Sequence, residues 1–184
     1  MKDTQHKTEQ GSARVIVMLI AAAAVGLLVF VGLQFRPATA VAKKQASLIE
    51  GIERRSASRI QRLLSEEYSD RWEFTDEEIV EAVVDVGSQF MALVVTAEDQ
   101  TLEINEDGIA VVTAKLIVSG KPVGPAGQEA TKRVNQLKSP FTFTWKKDSF
   151  LPTSWRLVKI DNPDLPGELY GYEPGDIGRA MRGE

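Results

Sequence analysis

A run of 21 residues without a charged side chain, from Val15 to Phe35, constrains this chain more than any other feature. As an α-helix with a rise of about 1.5 Å per residue it reaches roughly 31 Å, close to the roughly 30 Å thickness of a bilayer's hydrocarbon core. Arg14 and Arg36 flank the run. It is therefore predicted to be a single transmembrane helix, preceded by a polar tail at 1–14 and followed by one polar domain.

The run is either a retained signal anchor or a cleaved secretory signal. Two small-x-small sites that suit cleavage follow it, Ala38-Thr39-Ala40 and Ala40-Val41-Ala42. We favour retention, because the apolar run and its leader are both longer than in a usual secretory signal. Basic residues are balanced across the run, and the free amino terminus adds positive charge in front of it. This favours a cytoplasmic tail and an exported domain at a bacterial-type inner membrane.

The charge of the domain argues against a nucleic-acid partner. After a linker at 36–44, the residues from Gln45 to Glu184 include 16 Lys and Arg against 24 Asp and Glu, a net charge of −8. Such a surface repels phosphate backbones. A cluster of four arginines is interpreted as the solvated edge of a helix rather than a binding patch. Its members are Arg54, Arg55, Arg59 and Arg62.

The residue types also narrow the chemistry. The only histidine, His6, lies in the polar tail, and the chain has no cysteine. The domain therefore lacks the commonest general base, the commonest metal ligand and a thiol nucleophile. An acidic cluster between Glu66 and Glu81 has no calcium-loop spacing and is interpreted as charge at a helix N-terminus. We expect neither a metal nor a cofactor.

Two helices are predicted in the first half of the domain. Apolar residues recur at helical spacing from Ala42 to Tyr68, which predicts one amphipathic helix. Thr75 and Glu78 have the spacing of a capping box that begins a second helix, Asp76 to Ser88. Glycine and proline predict a long loop over 120–136 and an irregular C-terminal tail over 162–184.

Four strands complete the pattern. A turn at Asn105-Glu106-Asp107-Gly108 joins the first two, and the polar break Glu98-Asp99-Gln100 predicts a bulge in the first. In the fourth strand, Trp155, Leu157 and Lys159 are assigned to one face, and Arg156, Val158 and Ile160 to the other. Two helices followed by an antiparallel meander predict an α+β domain with helices on one face of the sheet. The strands are predicted at Phe90 to Ile104, Ile109 to Ser119, Pro140 to Lys147 and Ser154 to Ile160.

Four segments together carry a family resemblance. They are LLSEEYSDRW, TDEEIV, EINEDGIAVVTAKLIVSG and FTFTWKKDSFLPTSWRLVKI, and they fall within 45–161. Over this range the chain resembles the nuclear-transport-factor-2-like, or cystatin-like, superfamily. The resemblance implies a cone of two or three helices packed on a curved four-stranded antiparallel sheet, here behind an N-terminal transmembrane helix.

Proteins of this superfamily commonly have a pocket between the helices and the sheet. Enzymes that resemble ketosteroid isomerase or scytalone dehydratase place acids and bases in it. The candidates in this chain form no recognisable catalytic pair, and no catalytic residue is assigned; they are Tyr68, Asp85, Glu103 and Tyr170. Trp145 and Trp155 are further candidates for lining a ligand pocket. Packing in the core is the favoured interpretation of both indoles.

The sequence supports two functional hypotheses. The first is a non-catalytic interaction or scaffold module, tethered by one helix, that binds another envelope protein or its own copy. The membrane-anchored assembly factor of type IV secretion systems has a similar plan. The alternative is a binder of a small apolar ligand, or an isomerase-like or dehydratase-like enzyme that uses the cone pocket. The alternative requires an enclosed pocket that holds an acid with a raised pKa.

Overall fold

The computed structural model describes residues 25–26, 37–149, 151, 153–166 and 172–182. No helix in these ranges has the length and apolar character that crossing a membrane requires. The polar tail at 1–14 and the predicted anchor at 15–35 lie outside the described residues, apart from Val25 and Gly26. The elements are α1 (Pro37–Glu53), α2 (Ala57–Gln61), α3 (Asp76–Ser88), β1 (Phe90–Ile104), β2 (Ile109–Pro122), α4 (Pro125–Gln136), β3 (Phe141–Lys147), β4 (Trp155–Asp161) and α5 (Asp176–Arg182).

The four strands form one curved antiparallel sheet in the order β1-β2-β3-β4. The prediction of an α+β domain with a four-stranded meander is confirmed. The polar break in β1 is a bulge, because the pairing with β2 shifts between Glu98 and Thr101 and Asp99 has a φ of 50°. Gly108 supplies the positive φ, 73°, that the β1–β2 turn needs.

A second bulge changes which side chains of β4 face the helices. Thr144 pairs with Lys159 but Trp145 pairs with Leu157, so Val158 is an extra residue. One extra residue reverses the faces of all that follow it on the strand. Ile160, opposite Phe143, therefore packs against the core, and Lys159 turns to the other face. The predicted assignment of Lys159 and Ile160 is wrong for this reason.

The first helix is broken at Arg55 rather than continuous to Tyr68. Arg55 has a φ of 53°, and its guanidinium donates to the carbonyl oxygen of Phe90 at 2.6 Å. This contact lies 35 residues away in sequence, so helical spacing alone does not reveal it. The same contact shows that Arg55 does not belong to a solvated helix edge. At the other end, α1 begins at Pro37, so residues 37–44, predicted as a linker, are helical.

Two further helices lie in segments predicted to be irregular. Within the predicted loop, Gly124 precedes a helix with Pro125 at its first position, where a missing N–H costs nothing. Gly127, inside α4, has the carbonyl oxygen of Gln89 within 2.6 Å of the position a Cβ would take. Glycine here permits close packing rather than a turn. In the C-terminal tail, residues 176–182 form α5.

The core lies between the helices and one face of the sheet. From the helices come Val41, Leu48, Ile60 and Val80, and from the strands Val112, Phe143, Trp145, Trp155 and Leu157. The second predicted helix is confirmed, since α3 has the capping box in which Thr75 N donates to Glu78 Oε2 at 2.8 Å. Burial of these aliphatic and aromatic side chains is the main term that stabilises the fold.

Candidate functional site

The interior of the domain, between the helices and the sheet, holds the two tryptophans. Trp145 is 0% exposed, and its indole Nε1 donates to Gln45 Oε1 of α1 at 3.0 Å. Trp155 is 1% exposed, and its Nε1 has no hydrogen-bond partner in the described part of the chain. Leu48 and Phe143 fill the space beside them. The structure therefore places both indoles in the packed core that joins α1 to the sheet.

Tyr68 belongs to a buried phenol–carboxylate pair that sequence analysis did not recognise. Its hydroxyl donates to Asp70 Oδ2 at 2.9 Å, and both residues are less than a tenth exposed. The other oxygen, Oδ1, accepts from the backbone N–H groups of Trp72 and Phe74 at 2.9 and 3.1 Å. This pattern closes the turn before α3. The only sequence signal for this pair is the spacing Tyr-x-Asp, and this spacing does not indicate that the two side chains are buried.

Burial governs the protonation of this pair. It raises the pKa of Asp70 above its usual value, and the hydrogen bonds from Phe74, Tyr68 and Trp72 limit the rise. Burial, and then the charge of Asp70, raise the pKa of Tyr68, so the phenol stays protonated and acts as a donor. A carboxyl with a raised pKa is a common general acid. Here all the bonds described are to its own chain, which favours a structural role.

Asp85 holds the C-terminal segment against α3. Its Oδ2 accepts from the backbone N–H of Ile177, and its Oδ1 from that of Gly178, both at 3.1 Å. The hydroxyl of Tyr172 donates to Oδ2 at 3.4 Å. Burial and the Asp85 charge raise the pKa of Tyr172. Asp85 therefore serves as a fixed acceptor for the start of α5.

Glu103 lies apart from the other candidates. It is exposed on β1, opposite Val111 of β2. Tyr68 lies before α3 and Asp85 lies on α3, each with its own partners, and Tyr170 is outside the described residues. The candidate acids and phenols are thus not brought together. Within the described ranges, no group of three Asp, Glu or His side chains is placed to hold a metal ion.

The face of the sheet opposite the helices is exposed over all four strands. We call it the outer sheet face. Thr101 and Thr113 share a hydrogen bond across β1 and β2, and Thr113 pairs in turn with Thr142 of β3. Side chains on this face are exposed or half-buried. Threonine and valine lie at its centre, and charged side chains, among them Glu98, Lys115 and Lys159, lie on the same face. Its central residues are Val94, Thr96, Thr101, Glu103, Val111, Thr113, Ile117, Thr142 and Thr144.

The sheet edges differ in how they are covered. Along β4, Leu157 exchanges backbone hydrogen bonds with Leu63 and Ser65 at 2.8 and 2.9 Å. Beyond the end of β3, the side chain of Asn135 bonds both the N–H and the carbonyl of Val118 on β2, each at 2.8 Å. No described strand pairs with the outer edge of β1. There, Glu53 accepts from the N–H of Val95 at 2.9 Å.

Two open grooves lie outside the cone. One, of about 890 Å³, runs between α1, α2 and β4. The other, of about 920 Å³, is lined by charged side chains of both signs, among them Glu66, Asp76 and Lys146. Neither groove is lined by Trp145, Trp155, Asp85 or Glu103. Both grooves therefore lie away from the predicted pocket residues.

Comparison with known proteins bears on the fold alone. No protein-family model matches the chain, and no curated protein matches it in sequence. Among solved structures, a protein from Cytophaga hutchinsonii described as NTF2-like shares 15% identity, with a TM-score of 0.44, over 65% of this chain and 91% of its own. A Nostoc punctiforme protein with a cystatin-like fold shares 13% identity, with a TM-score of 0.47, over 68% and 91%.

These structural neighbours are NTF2-like and cystatin-like fold proteins. A third neighbour, Bd1075 of Bdellovibrio bacteriovorus, shares 8% identity with a TM-score of 0.49. The match covers 66% of this chain and 39% of Bd1075. With identities of 15% or less and TM-scores of 0.49 or less, these neighbours assign neither activity nor partner to the chain.

Proposed function

We propose that this chain is a non-catalytic interaction module, tethered to a bacterial-type inner membrane by residues 15–35 with its domain on the exported side. The observation that carries the proposal is the contrast between the two faces of the sheet. One face is buried under helices by Leu48, Phe143, Trp145 and other large side chains. The other presents β-branched side chains at its centre, with charged side chains on the same face, and the described helices leave it uncovered.

The outer sheet face suits a protein partner. β-Branched residues lie directly opposite one another on it, as in the pairs Thr96–Ile117, Thr101–Thr113 and Val111–Thr144. Such side chains are stiff, so docking against them costs little conformational entropy. A surface of this kind binds another envelope protein or a second copy of the chain. The net negative charge of the domain disfavours a polyanionic partner.

The tether rests on the sequence. An uncharged run of 21 residues between two arginines is long enough to span a bilayer. α1 begins at Pro37, two residues after the end of that run. The proposed tether and the domain are therefore adjacent in the chain, and the partner is expected to lie in or close to the same membrane.

The alternative function, ligand binding or isomerase-like chemistry in the cone, has less support. It needs an enclosed space with an acid directed into it. The described interior is occupied by Trp145 and Trp155, and the buried carboxyl of Asp70 is bonded to Tyr68 and two backbone N–H groups. None of the contacts described leaves an acid directed at a cavity.

Photo-crosslinking of the full chain in membranes tests the interaction module. A photoreactive residue replaces Thr113, at the centre of the outer sheet face, and in a matched variant it replaces Lys132, which is exposed on α4. We expect a defined crosslinked species from position 113 and none from position 132. Its mass separates a second copy from a different envelope protein. Absence of a crosslink from position 113 together with a monomeric chain contradicts the proposal.

A further inference from the structure

The groove between α1, α2 and β4 concentrates positive charge on an otherwise acidic domain. Five of its nine lining residues are Lys or Arg, and none is Asp or Glu. Three elements contribute to it: Lys43 and Lys44 come from α1, Arg59 and Arg62 from α2 and the residue after it, and Arg156 from β4. We call this the basic groove. Its remaining lining residues are Ala40, Ser47, Leu63 and Thr153.

Nearby carboxylates offset only part of this charge. Glu50 pairs with Arg59, and Asp148 lies 3.9 Å from the guanidinium of Arg156. Arg62 and Arg156 also line the second groove, together with Glu66, Glu67, Asp76, Glu77 and Asp148, whereas no acid lines the basic groove itself. The cations also affect one another: burial, and then the charge of Arg156, lower the pKa of Lys44. The groove therefore favours an anionic occupant that adds negative charge.

The chemistry of the groove suits a phosphate group. Guanidinium groups offer several N–H donors in a fixed plane that matches phosphate oxygens, and ammonium groups add point charge. The carbonyl oxygen of Arg62 accepts from the guanidinium of Arg156. Ser47 and Thr153 supply hydroxyl groups at the margin. A volume of about 890 Å³ is larger than one phosphate needs and admits a headgroup.

The position of the groove along the chain identifies the source of the phosphate. Lys43 and Lys44 follow Pro37 by six and seven residues, roughly 10 Å along the helix axis. If residues 15–35 lie in the bilayer, as the proposed function holds, both lysines lie within about one Debye length of its surface. Basic residues in this zone are attracted to anionic lipids by about 1 kcal/mol each.

We propose that the basic groove binds the phosphate of an anionic phospholipid in the membrane that holds the tether. The inference rests on the tether and goes beyond it, because it assigns a ligand class to a surface of the folded domain. Binding at Lys43, Lys44, Arg62 and Arg156 orients the domain, with α1 and β4 toward the bilayer and the outer sheet face free for a partner.

Lysine labelling of the full chain in vesicles tests this inference. The chain is reconstituted in phosphatidylcholine alone or in phosphatidylcholine mixed with phosphatidylglycerol, and acetylation of Lys44 is followed by mass spectrometry. We expect labelling to be about fivefold slower with phosphatidylglycerol, which corresponds to about 1 kcal/mol for one lysine near an anionic surface. High salt should remove the protection, because it screens the attraction.

A charge-matched pair of double variants provides the control. Arg62→Gln with Arg156→Gln removes two cations of the groove, and Lys121→Gln with Lys132→Gln removes two exposed cations of β2 and α4. Protection of Lys44 should be lost in the first variant and kept in the second. Equal loss in both means that net charge, not the groove, attracts the lipid, and overturns the inference.

Two further experiments distinguish a failure of the lipid inference from a failure of the proposed tether. Inorganic phosphate added to phosphatidylcholine vesicles should leave Lys44 labelling unchanged; equal protection by phosphate overturns the lipid as the source. Alkaline extraction of phosphatidylcholine vesicles measures the tether by itself. A chain that is extracted contradicts both the proposed function and this inference, whereas a retained chain without lipid protection contradicts the inference alone.

Discussion

At the scale of single residues, the buried polar groups of the domain act as structural acceptors. Asp70 closes the turn before α3, Asp85 holds the start of α5, and Asn162 donates to the carbonyl of Ser139 at 3.0 Å while accepting from Asp164 N–H. A buried carboxylate without partners would cost several kcal/mol, so each acid is tied to the donors around it.

The pH dependence of stability follows from Asp70. Its folded pKa is raised, so between the unfolded value near 3.8 and the raised value the folded state binds more protons than the unfolded state. In that window the Asp70 term favours folding more as pH falls. Asp70→Asn keeps an oxygen for the backbone N–H groups and removes the charge. The stability of this variant relative to the native chain should therefore be greatest at pH 7 and decline toward pH 4.

Urea denaturation of both chains at several pH values measures this difference. Glu78→Gln provides a control of opposite sign. Hydrogen bonds from Thr75 lower the pKa of Glu78 in the native chain, so the stability that the Glu78 carboxylate contributes is lost as pH falls. A stability difference between Asp70→Asn and the native chain that is constant with pH would mean that Asp70 has the same pKa in both states.

At the scale of elements, local signals predicted what local interactions determine. The capping box fixed the start of α3 at Asp76, and the Asn105–Gly108 turn fixed the ends of β1 and β2, because each depends on neighbours in sequence. Elements set by distant contacts were missed. The break after α1 depends on Arg55 reaching Phe90, and the face of Ile160 depends on a bulge against β3.

The β1–β2 hairpin depends on a close approach of backbone at Gly120. This residue has a φ of 140°, and a Cβ there would lie 2.0 Å from the carbonyl oxygen of Ala92. Gly120→Ala should therefore lower the free energy of unfolding by about 3 kcal/mol. Gly108→Ala has a positive φ but no contact nearer than 3.5 Å, and should cost about 1 kcal/mol. Urea denaturation compares the two, and equal losses would mean that β1 moves away from position 120 at no cost.

At the scale of the whole molecule, the candidate site was predicted less well than the fold. The sequence identified candidate site residues but not their partners, because the partners lie far along the chain or are recognised only from burial. The candidates are Tyr68, Asp85, Trp145 and Trp155. The arginine cluster was interpreted as one solvated edge. The fold divides it, sending Arg55 inward and bringing Arg59 and Arg62 beside Lys44 and Arg156.

The C-terminal segment is joined to the domain through Asp85. Asp85→Ala removes an acceptor that three donors share, on Tyr172, Ile177 and Gly178. A hydrogen bond to a charged group contributes about 1.5–3 kcal/mol, so α5 should detach more often in this variant while the rest of the domain stays folded. Trypsin should therefore cleave after Arg179 at least about tenfold faster in Asp85→Ala than in the native chain. Glu77→Ala, an exposed acid on the same helix, is the control. Unchanged cleavage in Asp85→Ala would mean that other contacts hold α5.

The uneven covering of the sheet edges limits how copies of this chain can assemble. β4 is bonded at Leu157 and Val158 by the backbone of residues 63, 65 and 69, and the side chain of Asn135 bonds to Val118 of β2 beyond the end of β3. In the described part of the chain, the outer edge of β1 has no partner strand, and Glu53 accepts from one of its N–H groups, that of Val95. Two copies that join by the part of this edge after Val95 form an eight-stranded sheet about a two-fold axis, and each copy has then used its open edge of β1. Backbone pairing of this kind stops at a dimer and cannot grow into a filament.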